Sequence, residues 1–588
     1  MAARNKFDVD EDLQRSFNFS MLKRSFVYVR RESKRFLIAI SLQIISILLA
    51  LCEPVLTAKM LDVSIPNGDI KGLVLNVALL VACIGLNITL VTIFSKIINV
   101  VGQNIIYEIR RDLYEHMQKL SFTYFDSRPH GKILVRIINY VNSVSNILSN
   151  GLIQSFLQLI NLLFITVFMF AMDARLSLVI LSGLPFALAT ILILRPMQRR
   201  AWQAHSNKSS NMNAYLNESI VCMRITQLFT REKYNTDIYE DLSKGAKQTW
   251  YQAQFSSGAV GPIIDFISKA VTAAMILLGA FYFQPMVSFG VLMAMMQYCS
   301  RFWGPINQLA GIYNNFINNI AYLERIFEMI DEPVEVQDLP DAGVLGEIQG
   351  EVEFKNVTFE YEKGIPILNN VSFKVHPGES IALVGPTGAG KSTIINLISR
   401  FYDVTDGQVL IDGQDISKVT LKSLRSQMGI MMQDSFIFSD TIMANIRYGK
   451  LDADRQQIQA AAHTVCADDF IEQMPEKYET PLPERGSRLS QGQKQLVSFA
   501  RTLTAEPKIL ILDEATSSID TQTERQLQEG LARMLKGRTS FIVAHRLSTI
   551  RTCDRIMYIQ GGKIVECGSH DELMAQHGLY YDLCSSQR

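Results

Sequence analysis

The sequence has no net charge, because 57 Lys and Arg balance 57 Asp and Glu over 588 residues. A chain held on nucleic acid by phosphate contacts is normally basic overall, so nucleic acid is excluded as a partner. The low hydrophobicity and large charge excess that mark disorder are also missing. Hydrophobic residues make up 48% of the chain, and the mean hydropathy is +0.13. The eight cysteines (52, 83, 222, 299, 466, 553, 567 and 584) form no CxxC pair and no metal-ligand spacing. In so long a chain this argues for reduced, mostly buried thiols. The N-terminus is polar and charged through Arg35, so no cleavable signal peptide is expected, and no peptidase domain is expected before the first apolar run.

Neutrality is an average of two unlike parts. Residues 1–330 hold 31 basic and 21 acidic side chains, a balance of +10, and residues 331–588 hold 26 and 36, a balance of −10. The first part is charge-poor. Runs free of Asp, Glu, Lys and Arg occur at 36–52, 73–95, 137–172, 176–194, 270–300 and 302–323. A bilayer-crossing helix needs ~20 apolar residues, which predicts six spans near 36–57, 73–98, 152–172, 175–194, 262–283 and 287–310. Pro54, Pro185 and Pro305 fall within them as expected kinks. Basic residues cluster before span 1 (Arg24 to Arg35), between spans 2 and 3 (Arg110 to Arg136) and between spans 4 and 5 (Arg195 to Lys233). The opposite connections are short and nearly neutral, so both termini and the two long loops are expected on the cytoplasmic side. Those loops are helix-compatible over Val100–Ser121 and Pro196–Gln254. Two intramembrane ionisable residues stand out. Arg301 lies deep in span 6 and is a candidate for a substrate cavity, while Glu53 is placed near the outer end of span 1.

Residues 331–349, with Pro333, Pro340 and several glycines, read as a linker between a transmembrane domain (1–330) and a second domain (350–588). In the second, short β-type runs (Val352–Phe359, Ser380–Val384, Ile509–Leu512, Ser540–Val543) alternate with helical stretches, the pattern of an α/β fold. The segment Gly385-Pro386-Thr387-Gly388-Ala389-Gly390-Lys391-Ser392, continued by Thr393, follows an apolar strand and opens a helix. This is the phosphate-binding P-loop in its required context, with backbone N–H groups around the phosphates, Lys391 reaching them and Ser392 on Mg²⁺. A second apolar strand ends in Asp513 and Glu514. Asp513 suits the Mg²⁺ shell, and Glu514 is placed to orient the attacking water.

From these residues onward the sequence resembles the ATP-binding cassette superfamily, in the layout of an exporter half-transporter with six membrane helices fused to one α/β P-loop cassette. Leu489-Ser490-Gln491-Gly492-Gln493 is similar to the family's signature LSGGQ, with Gln491 where glycine is usual. Gln433 matches the Q-loop, Ser518 and Asp520 the D-loop, His545 the switch histidine, and Tyr361 the aromatic that stacks on adenine. Tyr124 to Ile137 and Glu218 to Glu232 resemble the two coupling segments, although Met223 stands where glycine is common.

The resemblance implies ATP and Mg²⁺ as cofactors. It assigns Gln433, Lys391, Glu514 and His545 to catalysis and the γ-phosphate, and Ser392, Gln433 and Asp513 to the metal. Because the signature acts in trans, two chains are needed, and the altered Gln491 favours a heterodimer over a homodimer. The implied function is export of small amphipathic molecules, drugs or lipids, across the cell membrane. A metal-chelate importer on the same fold, or an ATP-gated channel or regulatory ATPase, remains the alternative.

Overall fold

Charge-free runs placed in hydrocarbon must satisfy their backbone groups internally, which only helices and closed barrels achieve. The computed structural model describes residues 19–128, 130–146, 153–282, 286–432, 435–513, 521–544 and 547–586. These fall into two units, one drawn from the residues up to Gln118 with His130–Glu332, the other from Lys119–Pro129 with Pro333–Arg588.

The first unit is helical throughout its described residues. Spans 1 to 5 lie within Ser33–Ser64, Ile70–Met117, Ile153–Met172, Ala174–Val221 and Glu232–Tyr282, all long and apolar enough to cross a membrane. Span 6 lies in the 42-residue helix Phe289–Ile330, made more polar by Gln297, Arg301, Asn307 and Gln308. Helix Ile70–Met117 has 48 residues, roughly 72 Å at ~1.5 Å per residue against ~30 Å of hydrocarbon. Its excess is the helical extension expected after Val100. The other long loop holds helices ending at Val221, Met223–Leu228 and Glu232–Gly258. Helix starts are closed by short polar side chains: Asp69 accepts from Gly72 N, Asp173 from Arg175 and Leu176 N, and Ser288 from Val291 N.

Pro54 and Pro305 sit inside helices. Span 4 breaks at Ser182–Gly183, directly before Pro185, whose ring cannot coexist with a helical carbonyl at Leu181, so the expected interruption is present and Pro185 occupies the first turn of the helix starting at Leu184. Gly183 lets the break pack closely, since a Cβ there would lie 2.7 Å from Val271 and 2.8 Å from Trp303. One expectation needs correction: Glu53 is not near the outer end of span 1. The helix continues past residue 57 through a π-helical turn at Met60–Ser64, which leaves Glu53 well inside the span.

The second unit is the α/β part. Its strands are β1 (Val352–Glu362), β2 (Ile365–Val375), β3 (Ser380–Val384), β4 (Asp406–Ile411), β5 (Gln414–Asp415), β6 (Met428–Met431), β7 (Ile509–Asp513), β8 (Thr539–Val543), β9 (Arg555–Gln560) and β10 (Lys563–Gly568). A four-stranded antiparallel sheet runs β2-β1-β4-β5, and a six-stranded sheet runs β10-β9-β3-β8-β7-β6. In the larger sheet β9, β3, β8, β7 and β6 are mutually parallel. Alternation along its strands splits the core by face. Ile381, Leu383, Ile509 and Ile511 join one apolar cluster, and Ala382, Val384, Leu510 and Leu512 the other. Leu345 and Ile348 are buried in the first of these clusters, and the carboxylate of Asp412 accepts from the backbone N–H of Gln349, Gly350 and Glu351.

Candidate functional site

In an open parallel sheet, sites form beyond the carboxyl ends of the strands. Here β3 leads directly into the P-loop. Gly385, Gly388 and Gly390 have φ of 139°, 82° and 105°, the left-handed region that side chains resist. At Gly385 a Cβ would also lie 2.1 Å from the Ile559 carbonyl oxygen, so the loop presses against β9. Gly390 caps the helix Lys391–Ile398, whose N-terminal N–H groups point into the loop.

Lys391 is 8% exposed, and its ammonium donates to the carbonyls of Gly385 (2.8 Å) and Pro386 (2.9 Å). Burial pushes it down from the usual lysine range, while the Asp513 carboxylate opposes that shift. The two side chains therefore share one electrostatic environment at the end of β7. Ser392 is exposed and Thr393 buried, the latter 3.3 Å from the Tyr361 hydroxyl. Tyr361, near the end of β1, is 43% exposed, with its edge supported by Phe359 (4.7 Å between centroids) and Tyr402 (5.1 Å). It offers an open aromatic face beside the P-loop.

Strand pairing aligns Met431 of β6 with Leu512 of β7, and Asp513 with Val543 of β8. The chain leaves these three strands at the same edge at which β3 enters the P-loop. Gln433, Glu514, Ser518, Asp520 and His545 follow those strand ends in sequence and lie outside the described residues. A phosphate-bound divalent cation fits what is described, with the exposed Ser392 hydroxyl and Asp513 at one end of the sheet. Among the described residues no three His, Cys, Asp or Glu side chains converge as a metal site of their own.

The signature segment opens the helix Gln491–Thr504. Ser490 is its N-cap, its hydroxyl accepting from Gln493 N (3.2 Å) while the Gln493 side chain accepts from Ser490 N (2.9 Å). Leu489 and Gly492 are buried, and Gln491 is exposed in the first turn. The unusual glutamine is therefore compatible with the fold of a single chain.

Sequence reasoning missed Arg501 on this helix. Its guanidinium donates to the Phe436 carbonyl (2.8 Å), the Asn445 carbonyl (2.8 Å) and Asn445 Oδ1 (2.8 Å), and stacks over Phe438. Burial lowers its pKa from the ordinary arginine value. It ties the signature helix to the chain just after Gln433. Arg501→Leu should destabilise the cassette by about 2–4 kcal/mol, because three acceptors lose a charged donor. The check is a thermal melt of the full chain, in which an unchanged midpoint would refute the tie.

The first coupling segment starts in the second unit, which includes Lys119–Pro129. There Asp126 accepts from the Tyr402 hydroxyl (2.7 Å), Phe122 packs on Phe401 (4.4 Å), and Glu335 accepts from Ser121 (3.0 Å) and Thr123 (2.7 Å). Tyr402 was not foreseen, since nothing in Arg400-Phe401-Tyr402-Asp403 marks a tyrosine whose phenol is held above its ordinary pKa by burial and by Asp126. In the second coupling segment the helix Met223–Leu228 begins at Met223, and Leu228 and Phe229 are 78% and 66% exposed. In the membrane unit, Arg301 pairs with Glu53 and also donates to the Ala50 carbonyl.

Comparison with known proteins agrees with this geometry. Residues 36–306 match the family described as ABC transporter transmembrane region, and residues 368–517 match the ABC transporter family. An uncharacterised ABC transporter ATP-binding protein of Bacillus subtilis is 38% identical over 99% of this chain and 97% of its own length. A putative multidrug export ATP-binding/permease protein of the same organism is 37% identical over 83% of this chain and 84% of its own. The ATP-bound structure of a bacterial Atm1-family ABC exporter superposes with a TM-score of 0.79 at 28% identity, covering 94% of this chain and 98% of that one.

Proposed function

The chain belongs to the ABC transporters, and from that premise we propose that it is one half of an exporter that moves small amphipathic molecules, drugs or lipids, outward across the cell membrane. It is an ATPase coupled to transport. The observation that carries the proposal is the P-loop geometry of Gly385–Ser392 in the same chain as five described helices long and apolar enough to cross a membrane, with a sixth, more polar helix at Phe289–Ile330.

In this reading the adenine stacks on Tyr361. The phosphates take the place of the loop carbonyls that Lys391 now engages, so Lys391 moves from an internal hydrogen bond to the β- and γ-phosphates. Mg²⁺ would be held by Ser392, Gln433 and Asp513 together with phosphate oxygens, and would neutralise charge developing on the transferred group. Glu514 polarises the attacking water, and Gln433 and His545 report the γ-phosphate. Leu489 to Gln493 of a second chain complete the site, and Ser518 and Asp520 face it across the dimer. ATP favours the closed pair of cassettes by its differential affinity for that state, and this difference is what can drive the membrane helices. Both termini face the cytoplasm, and Arg301 lines the substrate path.

Half-transporters of this type generally act as dimers. Gln491 supports a heterodimer in which this chain supplies the competent P-loop side, with Glu514 and His545, and its altered signature faces the partner's weaker site. Purified alone, the chain should then hydrolyse ATP at less than about a tenth of the rate of the complex that copurifies from its native membrane. Equal ATPase activity from the isolated chain would overturn the heterodimer.

A further inference from the structure

Pro54 has no backbone N–H, so the carbonyl of Ala50, four residues earlier in span 1, loses its helical partner. Leaving such a carbonyl unpaired inside hydrocarbon is costly. Arg301 of span 6 meets this need, donating Nη1 to the Ala50 carbonyl and Nη2 to the carboxylate of Glu53, the residue beside the proline. Tyr298, on the preceding turn of span 6, donates its hydroxyl to the Leu51 carbonyl (2.6 Å). Further out, Asp62 accepts from Ser288 and from Gly290 N (2.7 Å), closing the start of the same helix. Span 6 is thus joined to span 1 at three heights.

Arg301 is the twelfth residue after Phe289, so it lies roughly 18 Å along the helix, within the ~30 Å of hydrocarbon. The pair is not sealed, since the Arg301 and Glu53 side chains are 32% and 20% exposed. It is a fixed, charge-compensated site that presents part of its surface.

We propose that Glu53 sets the charge preference of the transport path. By compensating Arg301 it keeps this depth neutral and favours amphiphiles whose headgroups carry no net negative charge. This rests on the export reading above. The physical argument is one of competition. A lone guanidinium at low dielectric attracts an anion strongly, but an anionic headgroup entering here must displace Glu53, leaving a second carboxylate uncompensated. A zwitterionic or neutral headgroup displaces nothing. The Ala50 carbonyl holds the guanidinium in place, so it cannot swing out to meet an anion without exposing the break at Pro54.

The test uses the full complex in lipid nanodiscs and reads ATPase stimulation by lysophosphatidylcholine and lysophosphatidylglycerol of equal chain length. Wild type should be stimulated more by the choline lipid. Glu53→Gln should raise the glycerol-to-choline ratio at least about fivefold, and adding Arg301→Gln should return it to the wild-type value. An unchanged ratio in a Glu53→Gln complex that melts as wild type does would overturn the proposal, as would a double variant that keeps the gain. A wild-type preference for the anionic lipid overturns it whatever the variants do. A uniform loss of stimulation with a lowered melting point would show the pair to be only a tie between spans, which also refutes it. Stimulation of wild type by neither lipid would instead count against the amphiphile-export reading.

Discussion

Glu514→Gln is expected to lower the ATPase rate by about 10²–10⁴-fold while ATP affinity stays within about twofold of wild type. The residue follows β7, whose four apolar positions are buried and whose last residue, Asp513, shares its surroundings with Lys391. Glutamine keeps the size of the side chain but cannot take a proton or orient water through a negative charge. In the proposed site binding depends on the P-loop backbone, Lys391 and Tyr361, all of which are untouched. The effect should therefore fall on turnover alone. Steady-state hydrolysis and equilibrium binding of a fluorescent ATP analogue separate the two, and a variant retaining a third of the wild-type rate would move the role to another residue.

Gly385→Ala is expected to cost about 2–5 kcal/mol of cassette stability and to abolish ATP binding. Two penalties coincide there: φ of 139°, which an L side chain rarely adopts, and a Cβ placed 2.1 Å from the Ile559 carbonyl oxygen of β9. Neither atom can yield, because the Cβ is placed by its own backbone and the oxygen belongs to backbone, and the strand behind the loop is locked by pairing with β3. Gly388→Ala is the control. It shares a positive φ, 82°, but a Cβ there meets nothing within 4 Å, so its cost should stay near about 1–2 kcal/mol. Thermal melts of the two variants should differ clearly, and equal destabilisation would contradict the crowding argument.

These two residues also mark what could be read from the chain. The P-loop and Asp513 were legible because their chemistry is local: a glycine spacing and a strand end. The two sheets were legible only in part. Ser380–Val384 was found because it is apolar after Ser380 and bounded by turn residues, whereas β2, with Asn and Ser along its exposed face, carries too little apolar signal. In span 4 hydropathy does not register the break at Ser182–Gly183, but Pro185 just after it does. Glu53 was placed too far out because the π-helical end of span 1 extends through Asp62, a residue that reads as loop. Its pairing with Arg301, 248 residues away, and that of Asp126 with Tyr402, 276 residues away, are products of packing that no local pattern encodes. The +10 of residues 1–330 nevertheless bears on the proposed function, since by the positive-inside rule it is the basis for expecting the basic loops on the ATP side of the membrane.

The central claim is that hydrolysis on this chain's P-loop side drives movement of an amphipathic substrate. Inverted membrane vesicles from cells making the full chain with its copurifying partner test it directly, with a fluorescent amphiphile outside and ATP added. The account predicts ATP-dependent accumulation against a gradient by wild type and none above background by Glu514→Gln. Accumulation that only equilibrates, and to the same extent in wild type and Glu514→Gln, would contradict it and point to a gated pathway instead.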